Sequence, residues 1–219
     1  MASGKEAGLG SPKDVLSNMS PEARKDAYNK MLVASKFFVP GKPTQWPALP
    51  LAKCREYNEQ ETDAVFYGSN YFNFVDTIAR RETSILEAFL VSPTPTHGRL
   101  LSHLSLSFPG LEAVQGRPEA LGLTQDGMRT LKLLQDYCVN LTTLELYVYK
   151  YNAFGLVGEA AGDSQPRNEA LSQVDEQLRA IPSLKKILIK YYYDRPTPEV
   201  TQLMQGLGWT VLMGDKEVL

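Results

Sequence analysis

Cysteine and histidine are scarce in this 219-residue chain, which has two of each. Cys54 and Cys138 stand alone, with no Cys or His at metal-ligand spacing, so reduced core thiols are expected rather than a zinc site or a disulfide framework. His97 and His103 are the only side chains whose ordinary pKa lies near neutrality. His97 follows the turn Ser92-Pro93-Thr94-Pro95-Thr96 and His103 falls on the polar side of a strand, so both read as structural. The motifs GxSxG, HExxH and CxxC are missing, and Gly155, Gly158 and Gly162 form neither of the common phosphate-binding patterns. Carboxylate pairs such as Glu59 with Glu61 and Asp175 with Glu176 read as solvated helix faces, which leaves metal binding and glycosidase chemistry without a basis. The expectation is a protein that is not an enzyme and uses no cofactor.

Neither charge sign dominates: 23 basic and 25 acidic residues give a net charge of -2, and the basic ones are spread along the chain. That argues against a nucleic-acid footprint. No apolar run approaches the roughly 20 residues that cross a bilayer. The start, MASGKEAGLGSPKD, lacks the apolar core of a secretory signal. An intracellular protein, cytoplasmic or nuclear, is expected, with no membrane association.

What is present is a repeat. Leu101-x-x-Leu104-x-Leu106, Leu141-x-x-Leu144-x-Leu146 and Leu184-x-x-Ile187-x-Ile189 recur at intervals of about 40 residues, the length of one strand-plus-helix unit. Around them the periodicity alternates between strands and helices. A helix over about 21–35 begins at Ser20-Pro21-Glu22, and a second over 51–66 can end with Gly68 in the left-handed conformation. Tyr71, Phe72, Phe74 and Val75 form the first strand. Then follow helix 82–91, strand 100–108, helix 125–137, strand 141–149, helix 167–180, strand 185–192, helix 198–207 and strand 209–212. Alternation of this kind implies a parallel sheet. Residues 1–17 read as a disordered tail, 18–50 as a helix and Pro-rich connector pinned by Phe37, Phe38 and Trp46, and 51–219 as the main domain.

Aligning the repeats puts Leu104, Leu144 and Ile187 at one level and Leu106, Leu146 and Ile189 at the next, on the side where helices pack. The opposite side carries His103, Thr143 and Lys186, then Ser105, Glu145 and Leu188, then Ser107, Tyr147 and Lys190, with Tyr149 and Tyr192 beyond. Strands covered on both faces read as continuous apolar runs, and these alternate instead. The fold class expected is therefore α/β and leucine-rich-repeat-like: a mostly parallel sheet with helices mainly on one face, preceded by one or two N-terminal helices. Glu145, Tyr147, Tyr149, Lys190 and Tyr192 are the candidate partner-binding residues, because exposed tyrosines supply rigid contact area with a polar tip. The alternative is that the N-terminal helices cover this face and bury the tyrosines. The function expected is a non-catalytic protein–protein interaction domain whose partner the sequence does not name, with an unrecognised enzyme as an alternative that would need a deep pocket gathering His97 or His103 with a carboxylate.

Three segments carry a family resemblance: Met19-Ser20-Pro21-Glu22-Ala23-Arg24-x-x-Ala27-Tyr28, Ala64-Val65-Phe66-Tyr67-Gly68-Ser69-Asn70-x-Phe72 and Cys138-x-Asn140-Leu141-x-x-Leu144-x-Leu146. Together they resemble a large group of fungal F-box-like proteins of mostly unknown function, over about residues 16–149. Ala23 and Ala27 stand where that group carries larger apolar residues, and Ser20 where it carries Pro. The resemblance implies a substrate-binding adaptor of a cullin-type ubiquitin ligase, with Pro21–Leu32 docking to a Skp-type subunit and the later region holding the protein to be ubiquitinated.

Overall fold

Six strands lie side by side in the order in which the chain makes them, and every pairing is parallel. They are β1 (Phe37–Val39), β2 (Tyr71–Phe74), β3 (His103–Ser107), β6 (Thr143–Val148), β7 (Lys186–Tyr191) and β8 (Thr210–Met213). A two-stranded antiparallel hairpin, β4 (Leu111–Val114) with β5 (Arg117–Leu123), is inserted after β3. The helices are α1 (Pro21–Leu32), α2 (Ala48–Ser69), α3 (Glu82–Leu90), α4 (Thr96–Leu100), α5 (Gln125–Tyr137), α6 (Gln165–Arg179) and α7 (Pro198–Gly206). This computed structural model describes residues 16–33, 37–39, 48–74, 76, 81–91, 96–150, 152–157 and 165–214. The tail 1–15, Trp46 and the connector prolines 40, 43 and 47 lie outside the described residues.

Local chemistry sets the helix ends. Ser20 caps α1 by accepting from the Ala23 N–H at 3.2 Å, and Thr197 caps α7 by accepting from the Val200 N–H at 3.3 Å, each with proline in the first turn. α7 closes with the Gly208 N–H donating to the Gln205 carbonyl (2.9 Å) and the Trp209 N–H to Met204 (3.0 Å), which requires Gly208 to sit at φ 83°. α2 is kinked at Asn58, whose backbone is non-helical and whose Oδ1 accepts from the Glu61 N–H at 3.1 Å, so one asparagine breaks the helix and restarts it. Gly68 corrects an expectation: its φ is not positive, and the helix runs on to Ser69 while the Ser102 hydroxyl donates to the Gly68 carbonyl at 2.5 Å.

The repeat alignment is the observed register. Leu104 pairs with Leu144 and Leu144 with Ile187, and Leu106 pairs with Leu146 and Leu146 with Ile189. These side chains join Leu131 and Leu134 of α5, Leu171, Val174 and Leu178 of α6 and Val200 and Met204 of α7 in one hydrophobic core. Tyr28 and Leu32 of α1 belong to that core too, whereas Met31 is exposed.

Two features depart from the expected order. The sheet starts one strand early, because Phe37–Val39 pairs with Phe72–Phe74 and α2 therefore lies between two strands. The β4–β5 hairpin breaks the simple alternation. It turns at Gly116 (φ 80°), and β5 packs against α6. Cys54 and Cys138 are free and buried, as expected, and burial pushes the Cys138 thiol up to about 12, which leaves it inert. Among the described residues, no helix is long and apolar enough to cross a membrane.

Candidate functional site

Strand alternation places two rows of polar side chains on the side of the sheet away from the helical core. One row runs Tyr71, His103, Thr143, Lys186, and the next Asn73, Ser105, Glu145, Leu188, each residue in register with its neighbour. Tyr147 and Lys190 follow in a third row. The register brings one carboxylate, Glu145, to the middle of this surface.

Glu145 is a shared acceptor. Its Oε2 takes hydrogen bonds from Lys190 Nζ at 2.6 Å, the Tyr71 hydroxyl at 2.8 Å and, more weakly, the Tyr147 hydroxyl at 3.4 Å. Its Oε1 lies 3.2 Å from His103 Nε2, so with Glu145 ionised that ring nitrogen is the donor. The Tyr71 and Tyr147 hydroxyls also bond each other directly. Burial alone would raise the Glu145 carboxyl, but the His103, Lys190 and Tyr71 hydrogen bonds outweigh it and hold it near 2. Burial pushes both the Tyr71 and Tyr147 phenols well above their ordinary value, so they stay protonated and serve as donors. Beside them, Ser105 donates to Asn73 Oδ1 at 2.8 Å, both side chains being buried.

Aromatic rings extend the layer. Tyr71 lies over His103 with ring centroids 4.2 Å apart, Tyr147 meets Tyr192 edge-on at 5.3 Å, and Tyr149 stacks on Tyr192 at 5.2 Å. Lys190 Nζ sits 6.0 Å from the Tyr147 ring centroid, completing an ion pair and a cation–π contact with one ammonium.

The five candidate residues are thus brought together, but not as exposed side chains. Tyr147 is 1% exposed, and Glu145 and Tyr192 are buried, while Lys190 and Tyr149 are half-buried. The expectation of exposed tyrosines is corrected for Tyr147 and Tyr192, which are buried and in ring contact with each other. Tyr71 is the member that sequence reasoning missed. Its signal was the alternation Tyr71-Phe72-Asn73-Phe74, which turns Tyr71 and Asn73 to the polar side.

Chemically, this cluster is a clamp rather than an acid–base device. A carboxylate held far below neutrality and bonded by a lysine, a histidine and two phenols has no proton to give at neutral pH and little basicity to offer. It lines neither the cleft at the carboxyl ends of the strands nor the groove between α1 and α2. The other histidine, His97, stacks on Tyr67 (centroids 4.3 Å apart) and lies 3.5 Å from Asp63 Oδ2. Arg55 already bonds Asp63 at 2.6 Å, and burial lowers the pKa of His97, so this group too is a packed strut. Among the described residues, no three His, Cys, Asp or Glu side chains are placed to hold a metal ion. No protein-family model, curated protein or solved structure matches the chain.

Proposed function

We propose that this chain is a non-catalytic protein-interaction domain that presents the Glu145 side of its sheet to another protein, in the manner of a leucine-rich-repeat array. Two properties support the reading. The strands are parallel and placed in chain order, and with the right-handed crossovers usual for such units their connections stack on one side of the sheet. Curved arrays built this way offer the strand side as a broad binding surface. The observation that carries the reading is the Glu145 clamp, which fixes Tyr71, His103, Tyr147 and Lys190 in one arrangement before any partner arrives. Side chains already immobilised lose little further entropy on binding. The parts of this layer that a partner can touch are Tyr149, Lys190, His103 and the exposed Lys186.

The test is quantitative affinity purification of the tagged wild type and a Tyr149→Ser/Lys186→Glu variant from cells that carry the native chain, after both are shown to fold. A protein recovered about tenfold less with the variant, a loss of roughly 1.4 kcal/mol, supports the reading. Identical sets of captured proteins contradict it.

A second reading makes the chain a cullin-ligase adaptor that docks a Skp-type subunit through Pro21–Leu32. What favours it is a groove of about 410 Å³ between α1 and α2, lined by Pro21, Lys25, Tyr28, Ala64 and Val65 among others, and α1 also exposes Met31. Co-purification of a Skp-type subunit that is lost in Lys25→Glu/Met31→Glu supports this reading, and no recovery of such a subunit with the wild type contradicts it.

A further inference from the structure

The carboxyl ends of β2 and β3 open on a cleft of about 550 Å³. Glu82, the first residue of α3, lines it and is 7% exposed. Its Oε2 accepts from the Ser107 N–H at 2.8 Å and the Ser107 hydroxyl at 2.7 Å. Its Oε1 receives no hydrogen bond from any described residue, and no Lys, Arg or His among them pairs with the carboxylate. Glu82 lines the cleft, and Oε1 is the one of its two carboxylate oxygens to which no described residue donates. Burial pushes this carboxyl up to about 7 against the pull of the Ser107 hydrogen bonds, so a cation placed beside it would favour its ionised form.

The surroundings select the sign of the group that this cleft would take. Asp76, Glu112 and Asp126 also line the cleft, and the one basic lining residue among the described residues, Arg81, is paired with Asp126 at 2.9 Å. The positive ends of α3 and α5 are already met by their own first-turn acids, Glu82 and Asp126, and by hydrogen bonds from the Glu82 N–H to Asp76 Oδ1 (2.5 Å) and from the Gly127 N–H to Thr124 Oγ1 (3.1 Å). An anion would meet three or four carboxylates there. Phe154, 55% exposed, also lines the cleft, and an aromatic ring attracts a cation placed over its face. With no metal-binding trio among the described residues, the cation that fits is organic.

We propose that this cleft binds a primary ammonium or guanidinium group, with Glu82 Oε1 as its innermost acceptor, Asp76 and Glu112 as outer ones and the Phe154 ring beside it. Such a group comes either on a free polyamine or on a lysine or arginine side chain of a peptide. None of Glu145, Tyr147, Tyr149, Lys190 and Tyr192 lines the cleft, so this site and the sheet-face reading can fail separately.

Amide-resolved NMR of the full chain at a pH of about 8, above the Glu82 value, tests the proposal. The probes are spermidine, agmatine, and blocked Gly-Lys-Gly and Gly-Arg-Gly peptides, with blocked Gly-Gln-Gly as the neutral control. Saturable shifts at Ser107, Gly110 and Gly127 with cationic probes and not with the control are expected. Saturation by the free amines alone assigns a small amine, and saturation by the peptides as well assigns a protein side chain. Glu82→Gln keeps a carbonyl for Ser107 and should weaken the affinity by about tenfold or more. Phe154→Ala, a change at an exposed ring, should weaken it several-fold and serves if Glu82→Gln does not fold. Absence of saturable shifts, equal shifts with the neutral peptide, or unchanged affinity in both variants overturns the proposal.

Discussion

Lys190 reaches Glu145 at 2.6 Å by leaning back along the sheet, since the residue in register with Glu145 on β7 is Leu188. This diagonal contact, with those from Tyr71 and His103, makes Glu145 a stronger acid in the folded chain than in the unfolded one. A carboxyl lowered from 4.5 to about 2 contributes stability that is present above 4.5 and lost as pH falls through about 2. Glu145→Gln should therefore be less stable than wild type at neutral pH, by roughly 1–3 kcal/mol after allowing for solvent screening. The gap should narrow below a pH of about 4 and close near 2. Urea unfolding across that range measures it.

Glu82 has the opposite sign. Its carboxyl is raised from 4.5 to about 7, so folding favours the protonated form and stability declines as pH rises from 4.5 through 7. Glu82→Gln should match wild type near a pH of about 4 and exceed it near 8, by up to about 3 kcal/mol. A wild-type melting temperature that falls between these two conditions while that of the variant does not is the expected result.

The two sides of the sheet can be compared by truncation. Leu144, fully buried in the helical core, should cost about 2–5 kcal/mol as Leu144→Ala. Tyr147 lies on the other side at 1% exposure, so Tyr147→Ala should cost a similar amount, about 3–5 kcal/mol. Tyr147→Phe removes only a hydroxyl shared with Tyr71 and Glu145 and should cost about 1 kcal/mol. Chemical denaturation of the three variants decides this, and a negligible loss for Tyr147→Ala would mean that the ring is not covered.

The turn after α7 gives a purely backbone test. Gly208 sits at φ 83° with no heavy atom within 4 Å of where a Cβ would stand, so Gly208→Ala meets strain without a clash. A loss of about 1–2 kcal/mol is expected, whereas Gly206→Ala, equally open and helical, should be neutral or slightly stabilising.

The register of the sheet was legible in the sequence because an alternation of period two tells which side each residue takes, and three copies tell which residues share a level. Leu104, Leu144 and Ile187 needed nothing more. β1 was not legible: Phe37-Phe38-Val39 is too short for a period and stands just before a proline-rich stretch. The hairpin escaped because Gln115-Gly116 is a weak turn signal and Pro118 argues against a strand. Alternation also gives side without exposure. Tyr147 was placed on the correct surface, but its burial is a property of the assembled surroundings, where it meets Tyr71, Lys190 and Tyr192 from other parts of the chain, and a period of two carries no information on that. The Glu82–Ser107 pair left no local trace at all, since it joins the start of α3 to the end of β3.

The central claim is that the Glu145 side of the sheet receives a protein partner, and lysine footprinting with and without the purified partner tests it most directly. Lys186 is exposed and Lys190 half-buried on that side, Lys132 is exposed on α5, and Lys25 and Lys30 are exposed on α1. Loss of acetylation at Lys186 and Lys190 in the complex, with Lys132, Lys25 and Lys30 unchanged, is the result expected. Protection of Lys132, or of Lys25 and Lys30 alone, would place the partner on the helices and contradict the claim.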